Sequence, residues 1–233
     1  MTDDSSFEHV EPLKLTKVPL YQQAYEALTE MIFRGQFRQG DRVTEKSLSE
    51  ILGVSGTPIR EAMRKLEHDG LLESVGNEVR ITSLTLEDIT QLYVCRKALE
   101  TIAVEAAVDA LTASDLDDLK QILEGAERAG KESNIPDLVS HNTRFHDRIL
   151  QAAGNRWLMS AVALLRKPLL LARAQITLDK DEFPRVINDH WEIYRALERR
   201  DKAAAVEALT QHMTTDCERM QRSVPKSSDS DHR

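Results

Sequence analysis

The sequence predicts a mainly α-helical protein, with an N-terminal winged helix-turn-helix followed by an all-α bundle of six helices. Three observations support this fold class. The stretch from Leu48 to Leu72 contains a short helical pattern, a glycine turn, an arginine-rich second helix and the entry into a hairpin, which is the layout of a winged helix-turn-helix. From Thr85 onward, apolar residues recur at helical spacing. Hydrophobic residues make up 41% of the chain but aromatic residues only 5%, a composition that favours helices packed through Ala and Leu.

Composition also indicates where such a protein works. The two cysteines, Cys95 and Cys217, are too few for a disulfide framework and indicate a reducing compartment. The sequence contains no signal peptide and no apolar run long enough to span a bilayer. The run 164–172 is short and contains two cations and a proline. We therefore expect a cytoplasmic protein that does not engage a membrane.

Charge is unevenly distributed along the chain. The whole sequence has a net charge of −8, yet residues 14–66 contain nine Lys and Arg against six Asp and Glu. That segment therefore carries +3 and the rest of the chain −11. A basic head on an acidic body can bind phosphates with one face while the body stays in solution, although a charge of +3 also arises by ordinary scatter.

The winged domain is expected over residues 14–82, after a polar stretch at 1–13 that should be disordered. Caps, glycines and apolar spacing set its elements. The expected elements are a helix from about Leu20 to Arg34, a second helix capped by Thr44 and ended by Gly53, a third helix capped by Ser55 or Thr57, and strands at Leu72–Val75 and Glu78–Ile81 joined by the turn Gly76-Asn77.

Residues 85–222 are expected to form the helical body, followed by a second disordered stretch at 223–233. Two of its helices should begin at pairs with the spacing of a capping box. The predicted body helices are 86–110, 115–130, 136–152, 156–178, 183–200 and 202–222, the first two starting at Thr85 with Asp88 and at Ser114 with Asp117.

The third helix of the winged domain carries a basic face. Arg60 and Arg64 lie away from its apolar positions, and Arg60 is best placed to reach a base edge, since arginine can bond guanine through two donors. Ser55 and Thr57 lie at the helix N-terminus, where hydroxyls and backbone N–H groups meet phosphates. Lys46 on the preceding helix is expected to contact the DNA backbone. A solvated basic face is the alternative, but the ordered series of cap, proline, arginine, core stripe and wing favours DNA binding.

This segment resembles the DNA-binding domain of GntR-family bacterial transcription regulators over roughly residues 18–82. The family's usual stretch is S-R-T-P-V-R-E-A-L followed by L-x-x-x-G-L, and this chain has S-G-T-P-I-R-E-A-M from Ser55 and L-E-H-D-G-L from Leu66. The resemblance implies that the turn Gly76-Asn77 approaches the minor groove. Gly56 stands where the family usually has a DNA-contacting arginine, which implies one phosphate or base contact fewer.

Three histidines of the body, His146, His190 and His212, lie on three different predicted helices. Asn142 lies four residues before His146 and so shares its helix face. Three imidazoles and one oxygen can bind a transition metal such as Zn²⁺ and leave positions open for water or ligand. Histidines that are hydrogen-bonded inside a bundle are the alternative, and spacing alone favours it.

The body, about residues 85–222, resembles the FCD effector domain of the FadR branch of the GntR family. The pattern D-x-x-x-H with Phe before the His is matched by N-T-R-F-H from Asn142, the two later histidines by His190 and His212, and R-x-x-L-E by the segment from Arg96 to Glu100. Six helices resemble the VanR-like subgroup. The resemblance implies one divalent metal per subunit, Zn or Ni, held at these histidines with Asn142 and helping to bind a small carboxylate. Asn142 replaces the usual Asp, and a neutral amide is a weaker ligand than a carboxylate.

Two arginines are candidates for holding the effector's carboxylate. A guanidinium fork matches a carboxylate in shape and charge, and Arg96 lies on the first body helix. An ion pair between Arg96 and Glu100 explains that arginine equally well, so both interpretations stay open. Arg173 is a second arginine that can point inward.

The sequence therefore predicts a ligand-responsive transcriptional regulator, expected to be a repressor. Two winged domains on a homodimer would contact the halves of a pseudo-palindromic, double-stranded operator. A small organic acid would change operator affinity if it binds two arrangements of the heads unequally. Two alternatives remain within this class: the metal itself is the signal, or a metal-free body serves only for dimerisation. A metal-dependent hydrolase is disfavoured, because the chain has no H-E-x-x-H and no carboxylate clearly placed as a general base.

Overall fold

The structure, a computed structural model, describes residues 18–174 and 182–223. The N-terminal part of the described chain is here called the head. Its elements are α1 (Leu20–Phe33), β1 (Arg42–Val43), α2 (Glu45–Leu52), α3 (Gly56–His68), β2 (Leu72–Val75) and β3 (Glu78–Ile81). The strands form an antiparallel sheet in the order β1-β3-β2. The sequence predicts the hairpin of β2 and β3, whereas the two-residue strand β1 is an addition.

Local signals place the ends of the head helices. α2 starts at a capping box in which Thr44 and Ser47 exchange backbone-to-hydroxyl hydrogen bonds of 3.1 Å, and it ends at Gly53, whose φ of 64° favours glycine. The N-cap of α3 is Ser55 rather than Thr57. Within the described residues the Ser55 side chain makes no capping hydrogen bond, so its hydroxyl is available to an external partner.

The C-terminal part of the described chain, here called the body, consists of helices. They are α4 (Leu86–Ala110), α5 (Ala113–Lys131), α6 (Ile135–Ala152), α7 (Arg156–Ala174), α8 (Phe183–Glu198) and α9 (Lys202–Ser223). No helix among the described residues is long and apolar enough to cross a membrane. The predicted fold class is confirmed. Four predicted segments lie outside the described residues, namely 1–13, the start of the winged domain at 14–17, 175–178 and 224–233, while Ser223 ends α9.

α5 begins two residues earlier than the sequence predicts. Its capping box is Thr112 with Asp115 and not Ser114 with Asp117. The two pairs have the same spacing, but α4 ends at its C-cap residue Leu111. Thr112 is therefore the first residue that is free to cap the next helix.

His141 of α6 is half-buried, although a surface position is typical of an isolated polar histidine. It packs where α6 crosses α5, and a Cβ at Gly125 would overlap its imidazole ring. The absence of a side chain at Gly125 thus lets these two helices pack closely.

The body core lies among α4, α5, α6, α8 and α9, with Phe145 and Ile193 fully buried in it. The three histidines predicted to bind a metal lie on the same helix faces as these core residues. His146, His190 and His212 are 5%, 2% and 1% exposed. Packing of the apolar stripes therefore brings three polar side chains into the centre of the bundle.

Candidate DNA-binding surface and metal site

Arg60 lies on the exposed face of α3, and the first residue of α2 holds its guanidinium. The Nε and Nη2 atoms of Arg60 donate to the two carboxylate oxygens of Glu45, each at 2.9 Å. The Arg60 side chain remains 56% exposed, while Ile59 and Leu66 of the same helix are buried. The basic side of α3 is therefore turned to solvent, with Arg60 held in one orientation.

The other predicted DNA contacts on α2 and α3 are also exposed. Lys46 keeps 87% of its side chain accessible, and Ser55, Thr57 and Arg64 are exposed as well. Thr57 and Arg64 lie three residues before and four residues after Arg60, so they share its helix face. Together they form a basic, hydroxyl-bearing surface of the kind that meets phosphates.

The wing turn carries Gly76 and Asn77, both exposed. Gly76 has a φ of 62°, which favours glycine. Near this turn Arg42 and Arg80 both pair with Glu78, at 3.1 and 2.6 Å. Sequence reasoning missed these two arginines, because only the pairing of β1 with β3 sets Arg42 opposite Arg80.

Three buried histidines converge at the centre of the body. The Nε2 atom of His190 on α8 lies 3.2 Å from Nε2 of both His146 on α6 and His212 on α9. Burial lowers the pKa of His146 to about 4 and that of His190 well below its ordinary value, so both are neutral at pH 7. Three imidazoles with nitrogens directed at one point form a donor set that fits a divalent transition metal.

Carboxylates lie near the Nδ1 atoms of two of these histidines. Glu100 Oε2 is 2.7 Å from His146 Nδ1, and Asp189 Oδ2 is 3.5 Å from His212 Nδ1. A carboxylate at Nδ1 keeps the imidazole proton on that nitrogen and leaves the Nε2 lone pair for a metal. Asn142, the predicted fourth ligand, lies one helical turn before His146, and both residues line a small cavity.

Arg96 and Arg173 belong to a buried polar cluster beside the histidines. Arg96 donates to Glu100 at 2.7 Å and to Asp216 at 3.3 Å, and Arg173 donates to Asp216 at 3.0 Å. The ion pair between Arg96 and Glu100 is therefore present. Sequence reasoning missed Asp216, although its position four residues after His212 places both on one face of α9.

Both acids of this cluster are ionised. Burial opposes the charge of Glu100, but Arg96 and His146 outweigh that effect and hold its pKa well below the usual range. Burial likewise opposes the charge of Asp216, and Arg173 contributes most to holding its pKa low. An incoming carboxylate would have to compete with both acids for the two arginines.

A small cavity lies beside His146. Its volume of about 40 Å³ offers room for roughly three water molecules. His146 and Asn142 line it from α6, and Leu170 and Arg173 line it from α7. An organic acid of several carbons fits there only if a wall moves.

The other side of α7 is attached to the head. Lys167 forms an ion pair with Asp69 at the end of α3, and the Tyr25 hydroxyl of α1 donates to the same carboxylate at 2.6 Å. The Lys167 ammonium also lies 4.5 Å from the centre of the Tyr25 ring, and Leu171 is fully buried in the core of the head. A single helix thus lines the cavity and contacts the DNA-binding part.

Two family models match the chain. The model described as "Bacterial regulatory proteins, gntR family" matches residues 20–78, and the model of the FCD domain matches residues 91–215. The first match contains α1, α2, α3, β2 and the turn that follows it, and the second contains the three histidines.

Similar proteins carry both parts. YdhC of Bacillus subtilis (strain 168), described as an uncharacterized HTH-type transcriptional regulator, is 33% identical over 216 residues, which is 91% of this chain and 96% of YdhC. A probable D-xylose utilization operon transcriptional repressor of Paenarthrobacter nicotinovorans is 30% identical over 211 residues, covering 86% and 88% of the two chains. Among solved structures, Escherichia coli McbR/YncC has a TM-score of 0.72 at 24% identity, covering 88% of this chain and 99% of that one. This last similarity concerns the fold alone.

Proposed function

The chain belongs to the gntR family of bacterial regulatory proteins, with an FCD domain as its body, and we propose that it is a transcriptional repressor controlled by a small carboxylate bound in that domain. The protein is a regulator and not an enzyme. One observation carries the proposal: His146, one of three converging imidazoles, lines a cavity together with Arg96 and Arg173, and α7, which forms a wall of that cavity, also contacts the head.

The head binds double-stranded DNA, with α3 as the helix that enters the major groove. In the proposed complex Arg60 contacts a base edge, and the wing turn approaches the minor groove. The residues assigned to this surface are Lys46, Ser55, Thr57, Arg60, Arg64, Gly76 and Asn77.

A homodimer would set two heads on the two halves of a pseudo-palindromic operator. Exposed apolar side chains of the body support this assembly. Val94 and Ile102 on α4, and Trp157 and Leu164 on α7, are each more than half exposed, and α4 packs against α7. Large apolar side chains on adjoining helices form the kind of surface that a second copy covers.

One Zn²⁺ or Ni²⁺ per subunit would be held by His146, His190 and His212, with Asn142 as a weaker fourth ligand. When bound, the metal supplies a positive charge for a carboxylate group of the effector. Arg173 reaches both the cavity and Asp216, so it can exchange that internal acid for the effector's carboxylate.

The response of the head would pass through α7. Because the cavity is small, an acid that enters it displaces the wall that carries Leu170 and Arg173. The same helix holds Lys167 against Asp69 and Leu171 in the core of the head. Displacement of α7 therefore changes the placement of the heads, and the operator is released if the acid binds the displaced arrangement more tightly.

The test combines native mass spectrometry with operator binding, on protein purified without chelator or histidine tag. We expect a dimer with one metal per subunit, and a panel of small organic acids should contain one that lowers the affinity for a duplex selected from a random library. His146→Ala should lose the metal and the response but keep basal DNA binding, whereas the exposed His68→Ala should keep the metal. A metal-free dimer that takes up neither Zn²⁺ nor Ni²⁺ would remove the metal from the proposal.

The size of the cavity favours a second candidate, in which the metal itself is the signal. A volume of about 40 Å³ accommodates an ion and a few waters without movement of α7. Operator binding that follows the Zn²⁺ or Ni²⁺ concentration, with no effect of any acid, would support this candidate.

A further inference from the structure

We propose that Glu45 is a positioning residue for DNA recognition: its carboxylate fixes the guanidinium of Arg60, and Gly56 provides the space for this pair. The inference rests on the DNA-binding role proposed above and adds a determinant of base selectivity to it. Three residues from two helices carry it, and none of them depends on the effector site.

The first observation concerns which donors of Arg60 are occupied. Glu45 accepts from Nε and from Nη2, both at 2.9 Å, so the carboxylate occupies the side edge of the guanidinium. A guanidinium has five N–H donors in a rigid planar fork. The end edge, formed by Nη1 and the second hydrogen of Nη2, stays available for the O6 and N7 acceptors of a guanine. Glu45 thus leaves Arg60 one bidentate edge for a base.

The second observation concerns how Glu45 is held. It is the first residue of α2, directly after the capping box of Thr44 and Ser47, so its backbone is fixed at the helix start. Its carboxylate lies above Gly56, the first residue of α3. A Cβ at Gly56 would overlap Glu45 Oε1 and lie 3.2 Å from its Cδ. Since Gly56 lies in a helix and lacks a positive φ, this glycine provides space rather than backbone freedom.

Charge explains what the pair does for recognition. A carboxylate on the DNA-facing side of the head repels phosphates, so Glu45 weakens binding to any sequence. A neutral side chain would remove that repulsion but leave the long Arg60 side chain free to bond phosphates or other bases. The pair therefore lowers affinity for random DNA and raises selectivity for the base opposite Arg60.

The experiment compares Glu45→Gln with Glu50→Gln in the full-length protein. Glu50 lies on the same helix and faces Lys46 at 4.0 Å, so the control removes the same charge without touching Arg60. Affinity is measured for three duplexes. They are the duplex that the wild type selects from a random library, the same selected duplex with its preferred guanine replaced, and a random-sequence duplex. A bidentate arginine–guanine contact discriminates roughly 5- to 150-fold.

Glu45→Gln should bind random DNA about two- to fivefold more tightly and lose about fivefold or more of the selectivity at that guanine. Glu50→Gln should tighten random binding but keep the selectivity. Gly56→Ala should lose the selectivity without tightening random binding, because it displaces the carboxylate and keeps its charge. In an Arg60→Ala background, Glu45→Gln should no longer affect selectivity, which shows that Glu45 acts through Arg60.

Unchanged selectivity in Glu45→Gln would overturn the proposal. So would a larger gain on the selected duplex than on random DNA, because Glu45 would then mask Arg60 and not orient it. Far-ultraviolet circular dichroism checks the folding of each variant. If Glu45→Gln does not fold, the selectivity of Gly56→Ala tests the proposal instead. A wild type that selects no duplex would overturn the DNA-binding role itself, an outcome distinct from those that concern Glu45 alone.

Discussion

Lowering the pH from 7 to 5 should destabilise the metal-free protein by about 2 kcal/mol through His146, with a further loss through His190. Burial lowers the pKa of His146 to about 4, against 6.5 for an unperturbed histidine, and burial holds the pKa of His190 well below its ordinary value. As the pH falls below about 6.5, the unfolded chain therefore binds protons that the folded protein does not. The stability that is present above that pH is lost as the pH falls toward the folded-state pKa.

The magnitude follows from the two pKa values of His146. With 6.5 in the unfolded chain and about 4 in the folded protein, linkage gives a loss of about 2 kcal/mol between pH 7 and pH 5. His190 adds a loss in the same direction, because burial also lowers its pKa. Glu100 and Asp216 contribute little in this range, because both acids have pKa values held low in the folded protein and below pH 5 in the unfolded chain.

Urea denaturation of chelator-treated protein at several pH values between 7 and 5 measures this loss as a change in the free energy of unfolding. His146→Gln should reduce the pH-dependent loss by about 2 kcal/mol. The matched change at an exposed position, His68→Gln, should leave it unaltered. A free energy of unfolding that stays constant between pH 7 and pH 5, or an unchanged loss in His146→Gln, would refute the reasoning that these imidazoles are buried and neutral.

Three further changes test other parts of the molecule. Arg60→Ala should lower operator affinity roughly 5- to 150-fold and leave the melting temperature and the oligomeric state unaltered; undiminished affinity in a binding titration would contradict its role. Leu171→Ala removes a side chain that is fully buried in the head and should cost about 2–5 kcal/mol in urea denaturation, unlike Leu20→Ala at an exposed site. Lys167→Met should keep metal binding, measured by native mass spectrometry, but reduce the effect of a bound acid on operator affinity. A response equal to that of the wild type would show that the Lys167–Asp69 pair transmits nothing.

Much of the head could be predicted from the sequence, because its signals are local. A cap, a proline in the first turn and apolar residues at helical spacing define α3 within a dozen residues. The same spacing assigns Arg60 and Arg64 to the exposed side of that helix. The partner of Arg60 could not be predicted, since Glu45 is fifteen residues away and reaches it only through the packing of α2 on α3.

In the body, too, the sequence predicted the candidate residues and the tertiary structure decided their contacts. Motif spacing alone singled out His146, His190 and His212 as possible ligands, and the similarity to a known domain favoured a metal over internal hydrogen bonds. Only the tertiary structure decided that their Nε2 atoms converge and that Asp216 competes for the arginines.

The sequence by itself determined the helices, the wing, the basic face and the candidate ligands, because periodicity and caps depend on residues a few positions apart. The tertiary structure decided which side chains meet. Leu171 lies in a helix of the body yet is buried in the core of the head, and Lys167 pairs with Asp69, ninety-eight residues earlier. Such contacts depend on how whole helices pack against each other, and no local pattern in the sequence records that arrangement.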